Sequence, residues 1–373
     1  MFVSKENLLK RKNILIVIII ITLILISLFN GKIFISLTKI LIKSNSYQKI
    51  YRGLYQEIEQ KLDKNKKILF IGSTGCDLVI NYKRMPKIGE TVLGNKLTQK
   101  IGGKGINQAI AASRLGAEVA FLGSIGDDAC GENNKKNLET NNIKYCLKDV
   151  PKMNTQISTI MVDDEDQKII TIIPGANNFV DEEQIEKNEK LINEYDIIVL
   201  QMEIPVETIE YIIDIAYKKN KIIILNLSPV QFISKNTLKK CNYIIIDKNE
   251  LSSITGMTTD DNKQIELASQ KLIELGVQNL IVILGENGTF LYNKGNSRFV
   301  SMIQDYYTGK TYGIKRENDC YVGAFANYLS KDYTLLGVII NTHTVYRFYA
   351  SGSDSFPSRI EINDYMSRMS FFN

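Results

Sequence analysis

Apolar residues follow two different spacings along most of the chain. Short runs that are apolar throughout predict buried strands, and they lie at residues 67–73, 119–122, 197–200, 222–225, 243–246 and 280–284. The stretches between them place apolar residues at helical spacing, as at 206–218 and 264–275. Strands that are buried on both faces and alternate with amphipathic helices indicate a parallel sheet between two helical layers. We therefore predict a three-layer α/β/α fold with a mostly parallel central sheet.

Shorter segments predict a second, smaller sheet. Residues 78–82 and 91–98 form one candidate hairpin across a turn rich in proline and glycine. Residues 156–162 and 168–173 form another candidate hairpin across an acidic turn. Both pairs lie among the early elements of the chain, so we expect them to sit beside the first part of the large sheet.

Polar residues recur where the predicted strands of the large sheet end. Gln201 and Glu203 follow one strand, Asn226 and Asp247 follow the next two, and Gly285 follows a later one. The carboxyl ends of parallel strands meet at one edge, where open α/β sheets bind their ligands. The pattern predicts a ligand-binding crevice at that edge and leaves the ligand open.

An apolar segment lies near the start of the chain. Residues 14–29 are apolar except for Thr22 and Ser27, and the basic residues 10–12 precede them. The run is slightly short for a helix that spans a membrane. A secretory signal is an alternative, although no A-x-A cleavage site follows.

The segment after this run, residues 31–53, is basic and contains no acidic residue. An apolar run followed by such a segment resembles a two-part organelle leader, and a signal anchor with a basic stalk is the alternative. Positive charge on both sides of the run leaves its orientation open. We expect residues 1–66 to be an apolar leader or anchor with a basic linker. Membrane association or import into an organelle would follow, with a cytoplasmic protein as the alternative.

Composition narrows the class of protein. The 373 residues are 44% hydrophobic and 23% charged, which is typical of a globular chain. The net charge of +5 arises largely before Lys67, and no basic stripe with interleaved aromatic residues follows, so we expect no nucleic-acid partner. The five cysteines are scattered without a C-x-x-C pair, which argues against a disulfide framework or a zinc site and for a reducing compartment. The single histidine, His343, excludes a multi-histidine metal site and is expected to be structural.

The densest cluster of candidate chemistry is the run I-G-G-K-G-I-N-Q-A at residues 101–109, which leads into a helical stretch that ends at Gly116. Glycine-rich turns before helices present backbone N–H groups and the positive end of the helix dipole to anions or polar ligands. Lys104 adds a mobile charge and Asn107 adds an amide. The run matches neither the Walker pattern G-x-x-x-x-G-K-[ST] nor the dinucleotide pattern G-x-G-x-x-G.

Residues 102–117, G-G-K-G-I-N-Q-A-I-A-A-S-R-L-G-A, are similar to the N-terminal signature of the ribokinase branch of the PfkB carbohydrate kinase family. The resemblance extends from Lys67 to about Met366. It implies a ribokinase-like α/β/α domain at residues 67–373, with a small β-sheet lid formed by about 77–99 and 156–173. It also implies an ATP-dependent sugar kinase, with D-ribose and its 5-hydroxyl as the first expectation.

The resemblance assigns a sugar-binding role to residues in three segments. Ribokinases usually carry an asparagine two residues before the aspartate that corresponds to Asp77. This chain has Gly75 at that position. A nucleoside or another sugar therefore stays open as the acceptor. The implied sugar-binding residues are Asp77, Gly102, Gly103, Lys104, Asn107 and Glu203.

The family's N-x-x-E motif and its L-G-x-x-G loop have counterparts here. Asp247 replaces the asparagine, and Glu250 would organise Mg²⁺ through water, because hard cations prefer oxygen ligands and retain water. The implied nucleotide-binding residues are Asp247, Leu284, Gly285, Glu286, Asn287, Gly288 and Asn318. A loose match to a monovalent-cation loop implies K⁺ at Asp305, Gly352 and Ser355. The implied cofactors are ATP, Mg²⁺ and K⁺.

Asp319 matches the family's catalytic base. Because a helix N-terminus favours a carboxylate, we expect Asp319 to be ionised near neutral pH. The segment 306–318 before it is longer than in the family and lacks the G-A-G that lines the phosphate site; Lys310, Lys315 and Arg316 are the candidate replacement donors. The alternative to an enzyme is therefore a catalytically degenerate kinase fold that binds sugar or nucleotide. A homodimer through the lid is a further expectation.

Overall fold

The computed structural model describes residues 65–165, 167–293, 296–300, 316–351 and 355–369. One compact unit spans Lys64–Tyr365. A second unit consists of Met1–Asp63 and Met366–Asn373, of which only the last residues of a helix are described. The predicted leader lies outside the described residues.

The strands form two separate sheets. In chain order they are β1 (Ile68–Ile71), β2 (Gly75–Asn81), β3 (Lys96–Gly102), β4 (Val119–Gly126), β5 (Lys144–Val150), β6 (Gln156–Val162), β7 (Lys168–Ile173), β8 (Ile197–Gln201), β9 (Ile222–Asn226), β10 (Tyr243–Asp247), β11 (Asn279–Ile283), β12 (Thr289–Asn293) and β13 (Asn296–Val300).

The large sheet has nine strands in the order β13-β12-β11-β10-β9-β8-β1-β4-β5. The pairs from β11 to β5 are parallel, and β12 and β13 add an antiparallel edge. The order reverses direction at β1, so β1 lies between β4 and β8. This arrangement confirms the predicted mostly parallel sheet.

Burial explains which strands the apolar pattern could predict. Strands β1 and β8 are buried over their whole length, and their sequences are apolar throughout except for Gln201. Strands β5, β12 and β13 were not predicted. They lie at or near the two edges of the sheet, where exposed polar residues interrupt the apolar run.

The helices in chain order are α1 (Lys104–Arg114), α2 (Ala129–Thr140), α3 (Glu182–Lys187), α4 (Glu189–Glu194), α5 (Val206–Lys218), α6 (Lys235–Lys240), α7 (Lys248–Thr255), α8 (Asn262–Glu274), α9 (Glu317–Leu329), α10 (Leu335–Ala350) and α11 (Arg359–Met369). Helix α5 has the predicted bounds. Helix α1 begins within the glycine-rich run 101–109 and not after it, so Lys104 and Asn107 of that run belong to its first turn.

Helices α1 and α9 pack closely against each other. A Cβ atom on Gly323 would lie 2.4 Å from the Gln108 carbonyl oxygen, so only glycine allows this approach. The contact brings the first turn of α9 beside the first turn of α1, and with it the residues assigned to catalysis and to the sugar.

The small sheet has four strands in the order β3-β2-β6-β7. The outer pairs are antiparallel, and β2 pairs with β6 in parallel, so the two predicted hairpins form one continuous sheet. The first hairpin was predicted with its second strand at 91–98. In the structure that strand is β3, which runs from Lys96 to Gly102, and it places Gly102 at the entry to α1.

A disulfide connects Cys76 of β2 to Cys130 in the first turn of α2, with 6.0 Å between their Cα atoms. Both side chains are buried. The scattered spacing of the cysteines gave no reason to pair them, so this bond corrects the expectation of a chain without structural disulfides. It ties the small sheet to a helix of the large sheet's layer.

His343 is fully buried in α10 and stacks on Tyr346 with 5.4 Å between ring centroids. Burial and the nearby charge of Arg347 lower the pKa of His343 to about 4, so it is neutral at physiological pH. The ring thus packs in the core, and the expectation that His343 is structural stays a prediction. Within the described ranges, no helix has the length and apolar content that a membrane crossing requires.

Candidate active site

The first turn of α1 lies against the end of β1. Gly103 has φ of 91°, and a Cβ atom there would lie 2.9 Å from the Ser73 carbonyl oxygen. Gly105 is equally close, because its Cβ would lie 2.7 Å from the Ser73 nitrogen. These glycines let the start of α1 touch the strand end. The sheet edge and the helix N-terminus therefore form a single site.

Glu203 holds this junction together. Its Oε2 accepts hydrogen bonds from the Lys104 backbone nitrogen at 2.9 Å and from the Ser73 hydroxyl at 2.5 Å. A carboxylate at a helix N-terminus is stabilised by the free N–H groups there. Glu203 thus positions the helix that carries Lys104 and Asn107, and its own assignment to the sugar stays a prediction.

Asp319 lies in the first turn of α9 and is buried. Its Oδ2 accepts a hydrogen bond from Asn107 Nδ2 at 3.0 Å, and its Oδ1 accepts one from Gln108 Nε2 at 3.1 Å. Burial raises the pKa of Asp319, although Lys104 and the two amides act in the opposite direction. The helix N-terminus therefore does not hold the pKa of Asp319 below its ordinary value, and the expectation that Asp319 is ionised near neutral pH stays a prediction. Desolvation makes Asp319 a stronger proton acceptor than an exposed aspartate.

Lys104 is surrounded by carboxylates. Burial disfavours its charged ammonium, but Asp319, Glu203, Glu250 and Asp247 outweigh that cost and raise the pKa of Lys104. Lys104 therefore carries a positive charge that interacts with the predicted base and with the predicted magnesium residue. A cation at this point can stabilise negative charge that develops on a transferred group.

A buried amide chain lies behind the base. Gln201 Nε2 donates to Gln108 Oε1 at 2.8 Å, and Gln108 Nε2 also donates to Asn226 Oδ1 at 3.0 Å. Sequence reasoning named Gln201 and Asn226 only as polar strand ends and did not name Gln108. The feature of the sequence that could have identified Gln201 and Asn226 is an amide side chain at the end of each of two successive strands. The chain fixes Gln108, which in turn orients Asp319.

Asp77 lies on β2 of the small sheet and is buried. Burial raises the pKa of Asp77 to about 6, against the opposing charge of Arg316. Arg316 Nε lies 3.9 Å from Asp77 Oδ2, and Arg316 Nη1 donates to Asn107 Oδ1 at 3.3 Å. A guanidinium therefore contacts two residues that were assigned to the sugar. The sequence named Arg316 only as a candidate phosphate donor.

The first of the residues predicted to bind the nucleotide, Asp247, lies at the start of α7. Asp247 caps α7 by accepting from the backbone nitrogens of Asn249 and Glu250, and Glu250 Oε2 accepts from the Asp247 nitrogen at 2.8 Å. Asn318 Nδ2 donates to the second Asp247 oxygen at 3.1 Å. The replacement of the family's asparagine by aspartate thus keeps the capping oxygen and gains a partner on α9.

The loop after β11 has the turn that its glycines predict. Gly285–Asn287 form a single 3₁₀ turn, and Gly288 has φ of 103°. The Leu284 nitrogen donates to the Gly288 oxygen at 3.0 Å, which closes the loop. The loop follows β11, which pairs with β10, so Asp247 and residues 284–288 lie at one edge of the sheet, and Asn318 contacts Asp247 from α9.

Comparison with known proteins decides the family. The model of the pfkB family of carbohydrate kinases matches residues 65–336. The chain belongs to this family. The resemblance that the glycine-rich signature indicated is therefore confirmed.

The individual proteins that this chain resembles include sugar kinases. A deoxyribokinase from Salmonella typhimurium is 29% identical over 305 residues, which are 80% of this chain and 98% of that protein. A ribokinase from Haemophilus influenzae is 31% identical over 236 residues, 63% of this chain and 77% of that protein. The ribokinase structure from Thermotoga maritima has a TM-score of 0.71 and 28% identity, covering 81% of this chain and 99% of that one.

The structure of Arabidopsis thaliana ribokinase complexed with ribose and ATP has a TM-score of 0.71 at 24% identity, over 80% of this chain and 98% of that one. At this identity the likeness concerns the fold. It confirms the ribokinase-like architecture of a large, mostly parallel sheet with a small second sheet.

The start of α7 carries the kind of oxygen ligands that a hard cation such as Mg²⁺ prefers. Asp247 and Glu250 bring two carboxylates to one helix start, and burial raises the pKa of Glu250. Mg²⁺ usually takes one or two carboxylates and retains water. Among the described residues, no group of three or more histidine, cysteine or acidic side chains could hold a metal by itself. Of the three residues predicted to bind K⁺, the structure describes only Ser355, which precedes α11. The other two, Asp305 and Gly352, lie outside the described residues.

Proposed function

We propose that this protein is an ATP-dependent sugar kinase that phosphorylates D-ribose at its 5-hydroxyl. The observation that carries the proposal is the buried carboxylate of Asp319, held by Asn107 and Gln108 beside the ammonium of Lys104. A base, a cation and an amide meet at the start of two packed helices. These groups can accept the proton of a hydroxyl and stabilise the negative charge of a transferred phosphoryl group.

The reaction would proceed by direct transfer. Asp319 accepts the proton of the sugar hydroxyl as that oxygen attacks the γ-phosphorus of ATP, and ADP leaves with the electron pair of the broken P–O bond. Lys104 stabilises the negative charge on the transferred group. Glu250 and Asp247 would hold Mg²⁺, which would supply neutralisation of phosphate charge.

The sugar would lie between the first turn of α1 and the small sheet. Gly102 and Gly103 allow close approach of the backbone, and Asp77, Asn107 and Glu203 offer acceptors and donors to hydroxyls. The small sheet then excludes water from the reaction, as lids do in phosphoryl transfer. The relatives named ribokinase support ribose as the acceptor.

Two observations favour alternatives. Gly75 stands where ribokinases usually have an asparagine, and a deoxyribokinase is among the relatives, so 2-deoxyribose, another sugar or a nucleoside is the second candidate acceptor. Arg316 contacts Asp77 and Asn107 in the sugar site. That contact favours a third candidate, a degenerate kinase that binds its ligands without turnover.

One assay tests the function. The purified protein is incubated with ATP, Mg²⁺ and K⁺ and with D-ribose, 2-deoxy-D-ribose or a nucleoside, and ADP release is measured. We expect ribose to give the highest kcat/KM. ADP release that no acceptor stimulates, together with measurable binding of ribose, would identify a binding protein instead. Omission of K⁺ tests the cation loop that includes Ser355.

We further propose that the leader directs the protein to a membrane or an organelle. The apolar residues 14–29 and the basic segment after them support this location. A reporter fused to residues 1–60 should localise to a membrane-bound compartment, and diffuse cytosolic signal would refute the proposal.

A homodimer through the small sheet is supported by the exposed isoleucines of β7, which are Ile169, Ile170, Ile172 and Ile173. Sedimentation of the variant Ile170→Lys against the natural protein tests it.

A further inference from the structure

A cavity lies beside the residues that are proposed to bind the sugar. Its volume is about 900 Å³, and it is lined by strands of the small sheet, by α1 and α2, and by Tyr349 and Phe356. Its charged lining residues are all cations, namely Lys96, Lys100, Arg114 and Arg316, and no described carboxylate lines it. The neighbouring sugar site is rich in carboxylates, so the two adjacent spaces have opposite charge.

Strand register explains how the cations reach this cavity. Lys100 is directly opposite Asp77 in the antiparallel pair of β2 and β3, and Thr98 and Lys96 follow opposite Val79 and Asn81. Residues two apart on a strand share a face, and opposite residues share that face too. Lys96, Thr98 and Lys100 therefore extend in a row from Asp77 away from the catalytic base.

The two arginines have acidic partners, and the two lysines do not. Arg114 Nη2 lies 4.0 Å from Glu361, and Arg316 Nε lies 3.9 Å from Asp77. Neither Lys96 nor Lys100 forms a hydrogen bond or ion pair through its ammonium with any residue that the structure describes. The lysines thus leave uncompensated positive charge on one wall of the cavity.

Arg316 connects the two spaces. It lines the cavity and also contacts Asp77 and Asn107 in the sugar site. A sugar whose 5-hydroxyl faces Asp319 would direct its remote carbons toward β2 and β3. A substituent on those carbons would enter the cationic cavity.

We propose that this cavity binds the phosphate group of a phosphate monoester, through Lys96 and Lys100 of β3 together with Arg316. Two compact ammonium groups and a guanidinium fork are suited to phosphate oxygens, and Thr98 lies between the lysines as a further donor. The phosphate can belong to the sugar that is phosphorylated or to a separate effector. Both sources share this chemistry, and the experiment separates them.

The probes are D-ribose, inorganic phosphate and α-D-ribose 1-phosphate, whose phosphate lies on the carbon remote from the 5-hydroxyl. Binding is measured calorimetrically at low and high ionic strength, with excess ADP to occupy the nucleotide site. We expect ribose 1-phosphate to bind roughly tenfold or more tightly than ribose, since charge-assisted hydrogen bonds contribute at this level. The advantage should fall at high salt.

Lys96→Gln/Lys100→Gln is the test variant. It should abolish the advantage of ribose 1-phosphate and leave ribose affinity within about twofold, because neither lysine belongs to the sugar site. The matched control is Lys83→Gln/Lys87→Gln, which changes lysines in the turn between β2 and β3 that do not line the cavity. The control should bind all three probes like the natural protein.

The outcomes separate the two sources and separate this inference from the kinase function. Tight ribose 1-phosphate binding that competes with ribose identifies a phosphorylated acceptor. Lysine-dependent binding of inorganic phosphate together with ribose identifies an effector site. If neither phosphate probe depends on Lys96 and Lys100, the proposal is wrong, whatever the kinase assay gives. Lysine-dependent binding without turnover would leave the site intact and refute only the kinase function.

Discussion

The amide of Asn107 links the carboxylate of Asp319 to the guanidinium of Arg316. Asn107 Nδ2 donates to Asp319 Oδ2 at 3.0 Å, and Asn107 Oδ1 accepts from Arg316 Nη1 at 3.3 Å. A residue assigned to sugar binding by its position in the signature is therefore also a positioning residue for the base. This double role affects how its variants should behave.

Asn107→Ala should weaken ribose binding and also lower kcat. Loss of a hydrogen bond to a buried charged group costs about 1.5–3 kcal/mol, or roughly 10–100-fold. Asp319 would lose a partner that stabilises its anion, so its pKa should rise further and the acidic limb of the pH–kcat profile should shift upward. Calorimetry with ribose and a pH–rate profile measure the two effects. A change in ribose affinity alone would mean that Asn107 does not position the base.

Asp319→Asn tests the base itself. The substitution keeps the shape of the side chain but cannot accept a proton, so kcat should fall roughly 10²–10⁴-fold. Affinities for ribose and ATP should change much less, because the base acts mainly in the transition state. Thermal unfolding serves as the control for folding. Unchanged kcat in a stable variant would exclude Asp319 from proton transfer.

The same site shows what the sequence could and could not predict. The bounds of α5 and the existence of β1, β8, β9 and β10 followed from apolar spacing, because these elements are buried against the core. Strands β12 and β13 were missed because an edge exposes polar residues. The site residues on α1 and α9 came from matching motifs, which report which residues occur and in what order.

Contacts between distant segments were beyond that reasoning. Arg316 and Asp77 are far apart in the sequence and meet only because α9 packs against α1, where Gly323 permits close approach. The raised pKa of Asp319 also depends on burial, which a motif does not specify. Sequence alone therefore named most of the residues that meet at this point, but not Gln108, and it did not predict their partners or the shifts in their pKa values.

Arg316→Ala should strengthen ribose binding. In the structure the guanidinium contacts Asp77 and Asn107, so a sugar must compete with it for both. Removing the competitor should lower the Kd for ribose by roughly 3–10-fold, on the order of one hydrogen bond. Calorimetry measures the change, and Arg298→Ala, an exposed arginine on β13, is the control. Weaker ribose binding in Arg316→Ala would instead make Arg316 a direct sugar ligand.

Ribose affinity should depend on pH through Asp77. Burial raises the pKa of Asp77 to about 6, so the side chain is ionised above that pH and protonated below it. An ionised carboxylate accepts hydroxyl hydrogen bonds more strongly than a carboxylic acid. The Kd for ribose should therefore rise as pH falls from 7 through about 6 toward 5. Asp77→Asn should bind ribose weakly at every pH without this transition, and a transition that persists in the variant would assign it to another group.

Reduction of the Cys76–Cys130 bond should lower stability and disturb the sugar site. The cysteines are separated by 54 residues, and a disulfide across such a loop stabilises a protein by about 2–4 kcal/mol. Cys76 directly precedes Asp77 on β2, so loss of the bond should also raise the KM for ribose. Thermal unfolding and kinetics are compared for the natural protein, with and without dithiothreitol, and for Cys76→Ser/Cys130→Ser. Cys146→Ser, which changes a free cysteine, is the control. The double variant should be less stable than the control and insensitive to dithiothreitol, and equal stability of all three proteins would show that the bond contributes nothing to the fold.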